Sequence, residues 1–568
     1  MKKVILVVLF LILAYTRLFH LNWGGPFPFH PDENNMVRAI QQLECPNIFD
    51  PTTCLNPHFF AYGQPPLYGA YFLNQVTGTI DPRLALRLIS ALASILNAYV
   101  LLKILEVLIS PDWRFKLLCF FMIIFSPYFI QFSRFGTTES SLMLLYSLIV
   151  YFSLKLFSNE PGIFRRNFLA IAITSGLAIA TKFSALPFLG APLLALFLRA
   201  ADNYKISLWR SFRLFLLSIS LLLILVAVFL VIFSPHNLIS NEDFLSTMNF
   251  ETSVGQGLTK VFYTRQFEFT IPFLFQSGHI FPYVLGWPVF IFSVLGFIFS
   301  SWKNEKINLL RFALLIYLVP SVFLYAKWTR FISPVFPIMT LMALIGIHTM
   351  LAFLQDRFHM KKIWLHNIYV IFTVIIIIPG LAYLAIYSRA DVRLTASEWI
   401  YHNIPDGAYV LSETANVVDI PVPMMSPNQP IPNYTVISFD FYHLDENLSL
   451  QEELESHLAQ ADYIFVPSRR IFSDHTCLWP GLDMSRQNGL LSGYSLERCA
   501  ALAGAYPKVN EYYRQLFNGE LGFQLVAEFS SYPRIEWRGR KFLKFPDEMA
   551  EETWTVFDHP VIRIYKRS

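Results

Sequence analysis

The chain alternates long apolar runs with short polar ones, and the runs have the length of membrane spans. A bilayer span needs roughly 20 mostly apolar residues. By that measure eleven spans are predicted, near 4–20, 84–108, 115–132, 139–157, 167–183, 185–199, 212–234, 281–301, 308–326, 331–354 and 364–387. Lys2 and Lys3 put the N-terminus inside by the positive-inside rule. The alternation then assigns to inner loops Arg114 and Lys116, Arg165 and Arg166, Arg199, Lys205, Arg210 and Arg213, Lys303, Lys306 and Arg311, and Arg357, Lys361 and Lys362. Every predicted inner loop is basic. The first run could be read as a cleaved signal, but the AYTRLFHLNWGG that follows lacks a small-x-small cleavage site. It is read as a retained anchor.

An odd number of spans sends three segments outside: a first loop of about 21–83, a second of about 235–280, and everything after about 388. In the last segment the pattern changes. LTASEWIYHNIPDG reads as an amphipathic helix with a stop, AYVLSE as a strand, and LQEELESHLAQADYIFVPS as helix then buried strand. The prediction is a transmembrane domain over 1–388 and a soluble, extracytoplasmic α/β domain over 389–568, with PVPMMSPNQPIP, 421–432, as a Pro-rich loop inside it.

Composition agrees with the pattern. Hydrophobic residues make up 54% of the 568 and charged residues 15%, with mean hydropathy +0.45, against about 25% charge in soluble domains. This is the composition of a polytopic membrane protein, expected in the plasma membrane with its N-terminus in the cytoplasm. A net charge of +4 is too small to suggest a nucleic-acid partner.

The five cysteines fit this topology. Cys45 and Cys54 share the first outer loop, Cys477 and Cys499 share the outer domain, and Cys119 falls in a span. Neither pair has CxxC spacing, and two pairs outside suit an oxidising compartment. Disulfides Cys45–Cys54 and Cys477–Cys499 are expected, with buried free thiols as the alternative.

Candidate chemistry begins at FHPDENNMVRAI, residues 29–40, where Asp32 and Glu33 follow the first span. One reading is a helix cap by Asp32. Against that as the whole account stand the flanking PFPFHP and the aromatic, Pro-rich NPHFFAYGQPPLYGAYF that ends the loop. Ionisable groups at spans are functional candidates because their desolvation is costly. Arg134 and Glu139 in SRFGTTES, Lys182 in GLAIATKFSALPF, and Lys327 and Arg330 in AKWTRFISPVFP all fall at the outer leaflet with Asp32 and Glu33. Snorkelling at a span end is the plainer reading for Lys327 and competes for Lys182. In the second outer loop Glu251, Tyr263, Arg265 and Gln266 are candidates to face a sugar or acceptor, with a solvated interfacial helix as the alternative. His58, His236 and His279 lack metal-ligand spacing.

A carboxylate within reach of a hydroxyl can take its proton, and fixed cations can stabilise charge growing on a departing phosphate. The chain has neither a P-loop nor a Gly-rich dinucleotide turn. A lipid-phosphate sugar held by its polyprenyl tail is the donor that fits an outer-face site.

In order along the chain, Asp32-Glu33, the NP…YGQPPLY segment, the Arg134…Glu139 turn, GLAIATK and RFISPVFP resemble C-type glycosyltransferases over about residues 1–355. The group they resemble comprises the polyprenyl- or dolichyl-phosphate-sugar transferases, among them protein O-mannosyltransferases and the lipid A aminoarabinose transferase. The resemblance implies a cell-envelope hexosyl- or pentosyltransferase acting on a hydroxyl of protein, lipid or glycan. Asp32 would act as base or orient the acceptor, with Glu33 beside it, and Arg134 and Arg330 would contact the lipid phosphate. Gln64, Glu139, Lys182, Tyr263 and Arg265 complete the candidate substrate site. In the aminoarabinose transferases the YGQPPLY segment reads Glu-Lys-Pro-Pro, with the Glu near a metal and the Lys on donor phosphate. Gly63 and Gln64 stand there in this chain. No cofactor is therefore assigned, and a divalent metal is left open.

Two other classes compete with a transferase. A flippase for lipid-linked glycans would use the same cations to grip phosphate, but the charged span centres and inverted repeats of such carriers are absent. A sensor with the outer domain as receptor explains the α/β segment but not the carboxylates and arginines.

Overall fold

The computed structural model describes residues 2–158, 160–202, 208–359, 362–414, 418–423, 433–481, 492–538 and 540–568. Lys205, Lys361 and most of the 421–432 loop lie outside them.

Every predicted span is helical at least in part, and the chain folds as a polytopic helical membrane protein. Seven segments of the described residues are individually long and apolar enough to cross a bilayer: Pro82–Leu108, Pro161–Thr181, Phe183–Ala201, Ser211–Phe233, Glu305–Phe323, Thr329–Phe358 and Asn367–Leu384. The other expected spans are shorter helices. The 115–132 run is interrupted after Ile124, and a second helix restarts at Pro127, a residue that supplies no N–H and clashes with a preceding turn. The 281–301 run divides at Gly286, whose φ of +81° breaks Phe281–Val284 from Trp287–Phe299. Such interruptions are tolerated at membrane depth where protein surrounds them, and Ile124, Phe129, Phe281 and Val284 are all buried.

Beyond Leu384 the chain builds an α/β unit. Its strands are β1 (Tyr409–Glu413), β2 (Thr435–Phe439), β3 (Tyr463–Val466), β4 (Phe523–Phe529), β5 (Arg534–Trp537), β6 (Arg540–Lys544) and β7 (Ile562–Arg567). Five form one sheet in the order β2-β1-β3-β7-β4, with β1 parallel to β2 and β3, and β7 antiparallel to β3 and β4. One face buries Leu454, Tyr512, Tyr513 and Leu516 from two helices; the other buries Val392, Ala396 and Ile400 from the helix Val392–Asn403. Cys45–Cys54 and Cys477–Cys499 are both bonded, and Cys119 is a buried free thiol.

The segment just before β7, EETWTVFDHP, does not stay with the sheet. Ala550, Trp554, Val556 and Phe557 belong to the hydrophobic core of the helical bundle. Gln131 donates to the Trp554 carbonyl at 2.8 Å, and Asp558 Oδ2 accepts from Tyr387 (2.6 Å), Tyr383 (3.1 Å) and Gln131 (3.2 Å). His559 lies fully buried between Asp558, 2.5 Å from Nδ1, and Asp547, 2.9 Å from Nε2. Burial alone would lower the pKa of this imidazole, but the two carboxylates outweigh it and raise it to about 10. Because the folded value lies above the unfolded one, the stabilisation is complete below about pH 6.5 and is lost as pH rises through about 10. The melting temperature of the purified protein should therefore fall between pH 7 and 10, and His559→Gln should flatten that fall. Equal slopes in the two proteins would contradict the buried imidazolium.

Candidate active site

Asp32 and Glu33 enter the same helix, Pro31–Gln41, and part at once. Successive helical residues point about 100° apart, so one carboxylate turns inward and the other to the loop face. Glu33 is 0% exposed. Arg87 holds it bidentately, Nε to Oε1 at 2.7 Å and Nη2 to Oε2 at 2.8 Å, and the Gly136 N–H donates to Oε1 at 2.7 Å. Arg83 Nε lies 3.5 Å from Oε2. Arg87 spends its remaining donor on the carbonyls of Leu21 and Trp23. Glu33 is thus the counter-ion of a buried guanidinium that ties the first loop to the helix Pro82–Leu108. The helix is capped by His30 rather than Asp32: His30 Nδ1 accepts from the Glu33 N–H at 3.5 Å. Burial, with Arg330, Arg87 and Arg393 nearby, pushes the His30 pKa well below its usual value, which keeps the ring neutral and able to accept.

Asp32 is ion-paired with Arg330, their side chains 15% and 17% exposed. Arg330 sits in the single turn Thr329–Ile332, stacked over Trp328, with Nη1 3.5 Å from the Tyr62 hydroxyl. Tyr62 in turn lies under Lys182, whose Nζ is 5.0 Å from the Tyr62 ring and 5.3 Å from that of Phe331. Lys182 is where the helix Pro161–Thr181 ends, its backbone turning extended, and its Nζ is 3.8 Å from Glu139. Asp32, Arg330, Tyr62, Lys182 and Glu139 thus form a continuous polar chain from five separate parts of the sequence.

This chain borders a cavity of about 350 Å³, within the range of ligand sites. Lys182, Arg330, Tyr62, Asn237, Glu251 and Gln256 supply its polar lining; Leu142, Ile179, Pro187, Pro320 and Leu324 supply an apolar wall. Glu251 comes from the helix Asn241–Gln256 of the second long loop, and burial of its carboxyl raises its pKa against the opposing pull of Lys182. Burial likewise holds the Tyr62 phenol well above its ordinary pKa, so it stays a donor.

Not every predicted residue is brought here. Arg134 is buried elsewhere, donating to the carbonyls of Ile130 (2.8 Å) and Phe19 (3.3 Å) and stacked 4.3 Å over the Tyr387 ring. Gln64 lies beneath the cavity, donating to Asn237 at 3.1 Å and accepting from the His236 N–H and the Tyr68 hydroxyl. Tyr263 packs on Trp328, while Arg265 pairs with Glu268 of its own loop and faces the C-terminal unit through Glu446 and Tyr506. Gln266 donates to Glu552 of the tail. Lys327 does not snorkel; it is buried, donates to the Tyr325 carbonyl, and burial lowers its pKa to about 8. Sequence reasoning missed Tyr62, one aromatic among many in its loop, and Arg87, although arginines at 83 and 87 at the start of a span were a usable signal.

Gly63 explains the departure at YGQPPLY. Its N–H donates to the Thr181 carbonyl at 2.9 Å, and a Cβ there would fall 1.6 Å from the Ala180 carbonyl oxygen. No side chain, and so no carboxylate, fits at 63 while the loop rests on this helix end. Among the described residues no three His, Cys, Asp or Glu side chains converge on a metal-sized site.

The family model described as dolichyl-phosphate-mannose-protein mannosyltransferase matches residues 5–241. No curated protein matches the chain. Among solved structures, ArnT from Cupriavidus metallidurans in the apo state is 14% identical, with 82% of this chain and 93% of that one covered and a TM-score of 0.46. The same protein bound to undecaprenyl phosphate is 15% identical, covering 70% and 72%, with a TM-score of 0.45. The S. cerevisiae protein O-mannosyltransferase Pmt1-Pmt2 complex bound to the sugar donor is 16% identical with a TM-score of 0.34, covering 43% of this chain and 34% of that one. The matched residues 5–241 contain Asp32, Glu33, Tyr62, Glu139 and Lys182, so the likeness of this part of the chain to the dolichyl-phosphate-mannose-protein mannosyltransferase family takes in every contributor to the polar chain except Arg330.

Proposed function

We propose that the chain transfers a sugar from a polyprenyl-phosphate donor to a hydroxyl acceptor at this cavity, by a single displacement that inverts the anomeric carbon. The observation that carries the reading is the Asp32–Arg330 pair beside a cavity that Lys182 also lines. A donor phosphate entering the cavity competes with Asp32 for Arg330 and is held by Arg330 and Lys182, while the apolar wall receives the isoprenoid. Asp32, released from its partner, accepts the proton of the acceptor hydroxyl as its oxygen bonds to the anomeric carbon. The bond from that carbon to the phosphate oxygen breaks, and the charge left on the lipid phosphate is stabilised by the two cations. Tyr62 donates to the same phosphate. Glu33 positions the loop and does not exchange the proton, because both its oxygens are already engaged.

The reading places this face, with the C-terminal unit, outside the cytoplasm. In support, Lys2 lies over the Trp113 ring and Arg199 donates to the carbonyls of Leu156 and Ser158, contacts that each join two of the segments predicted to lie inside. Protease added to intact cells should cut the C-terminal unit; complete protection would overturn the orientation.

The function is tested with purified protein in liposomes, offered a panel of radiolabelled polyprenyl-phosphate sugars and a membrane extract as acceptor. Label should pass from one donor to an acceptor. Lys182→Ala should raise the donor KM by about tenfold to a hundredfold, the size of a lost charge-assisted contact. Labelled lipid that crosses the bilayer intact, with no donor consumed, would make the protein a carrier instead.

A further inference from the structure

Arg330 is held by a weak local element. The turn Thr329–Ile332 has four residues, and its N-cap residue Trp328 makes no side-chain cap hydrogen bond. One turn does not repay the entropy of its own nucleation. Something outside the turn must therefore set where its guanidinium lies.

That partner comes from the far end of the chain. Glu551 Oε2 accepts from the Thr329 N–H at 2.9 Å and from the Thr329 hydroxyl at 2.8 Å. Glu551 Oε1 accepts from the Thr553 N–H at 3.0 Å, capping the single turn Glu552–Thr555. One carboxylate thus caps two one-turn helices more than two hundred residues apart. The Glu551 N–H donates to the His279 carbonyl at 2.8 Å, which fixes the carboxylate's own backbone. Six residues on, the Phe557 ring lies 4.5 Å from that of His30, the cap of the helix that carries Asp32. The same short segment therefore touches the supports of both members of the Asp32–Arg330 pair. Its position is secured independently of the cavity by Arg470 on Glu552, by Gln131, and by the His559 clamp.

We propose that the C-terminal segment Glu551–His559 is a built-in part of the active site, and that Glu551 is a positioning residue that holds Arg330 in place through Thr329. The inference rests on the reading of Arg330 as a phosphate contact. It makes the C-terminal unit necessary for donor binding, whatever else that unit does for the acceptor.

The test measures binding of radiolabelled undecaprenyl phosphate to the full-length purified protein. Glu551→Ala should raise its Kd by about tenfold, while Glu551→Gln, which keeps an oxygen acceptor for Thr329, should recover most of that loss. A merely structural role would not produce recovery in binding at equal melting temperature. Should Glu551→Ala not fold, Thr329→Val removes the hydroxyl from the other side of the same contact and should raise the Kd severalfold at unchanged melting temperature. Unchanged binding by that variant overturns the proposal. Unchanged binding by a folded Glu551→Ala protein, with Asp32→Asn inactive in transfer, overturns this inference alone. Failure of the wild-type protein to bind the lipid phosphate overturns both it and the transferase reading beneath it.

Discussion

The Asp32→Asn protein is expected to fold, to hold its donor, and to transfer sugar roughly a hundredfold to ten-thousandfold more slowly than wild type, the usual worth of a positioned general base. The amide has the shape of the carboxylate but does not accept the acceptor's proton. Folding should survive because Asp32 is partly exposed and is not the residue that locks the loop; Glu33 and His30 do that. The same substitution relieves Arg330 of its resident anion, so the donor KM should stay level or fall while kcat collapses. That split separates a lost base from a damaged site, in which KM would rise. Transfer at near-normal kcat would remove Asp32 from the chemistry.

Glu33→Gln is expected to do the opposite. It leaves Arg87 buried beside a neutral amide, and removing one partner of a buried pair costs on the order of 3–5 kcal/mol. The Gly136 N–H would also compete for the single remaining oxygen, and the space around Gly136 is closed by Leu86. The purified variant should melt well below wild type and express poorly. Arg87→Met should be similarly harmful, whereas Glu33→Leu combined with Arg87→Met should recover part of the loss, since an apolar pair carries no desolvation penalty. A Glu33→Gln protein that melts like wild type yet transfers no sugar would move Glu33 from scaffold to chemistry.

These opposite expectations for adjacent carboxylates show how much of the site lay in the chain and how much did not. FHPDE announces carboxylates at a membrane surface, and the order of its companion motifs leads to Arg330 and Lys182. Nothing in the five letters says which acid is locked to the scaffold. That depends on Arg87, fifty-four residues on, and on the helix rotation that turns one side chain toward it. Arg134 illustrates the reverse case: a cation in a tight turn at the expected depth, buried away from the cavity with Nη1 and Nη2 donating to the carbonyls of Ile130 and Phe19. Tyr62 was hidden because an aromatic-rich loop offers several equivalent rings.

What the sequence by itself determined is the class of molecule: apolar runs of bilayer length, basic turns between them, an α/β C-terminal stretch, and cysteines in pairs that do bond. These are local or compositional properties, set by the cost of placing polar backbone and charge in hydrocarbon. Only the tertiary structure decided which carboxylate pairs with Arg330, which cations line the cavity, and that a segment from residue 551 onward caps the turn of Arg330. Those outcomes rest on which distant groups satisfy each buried charge and N–H, and that pairing is made only when the helices pack.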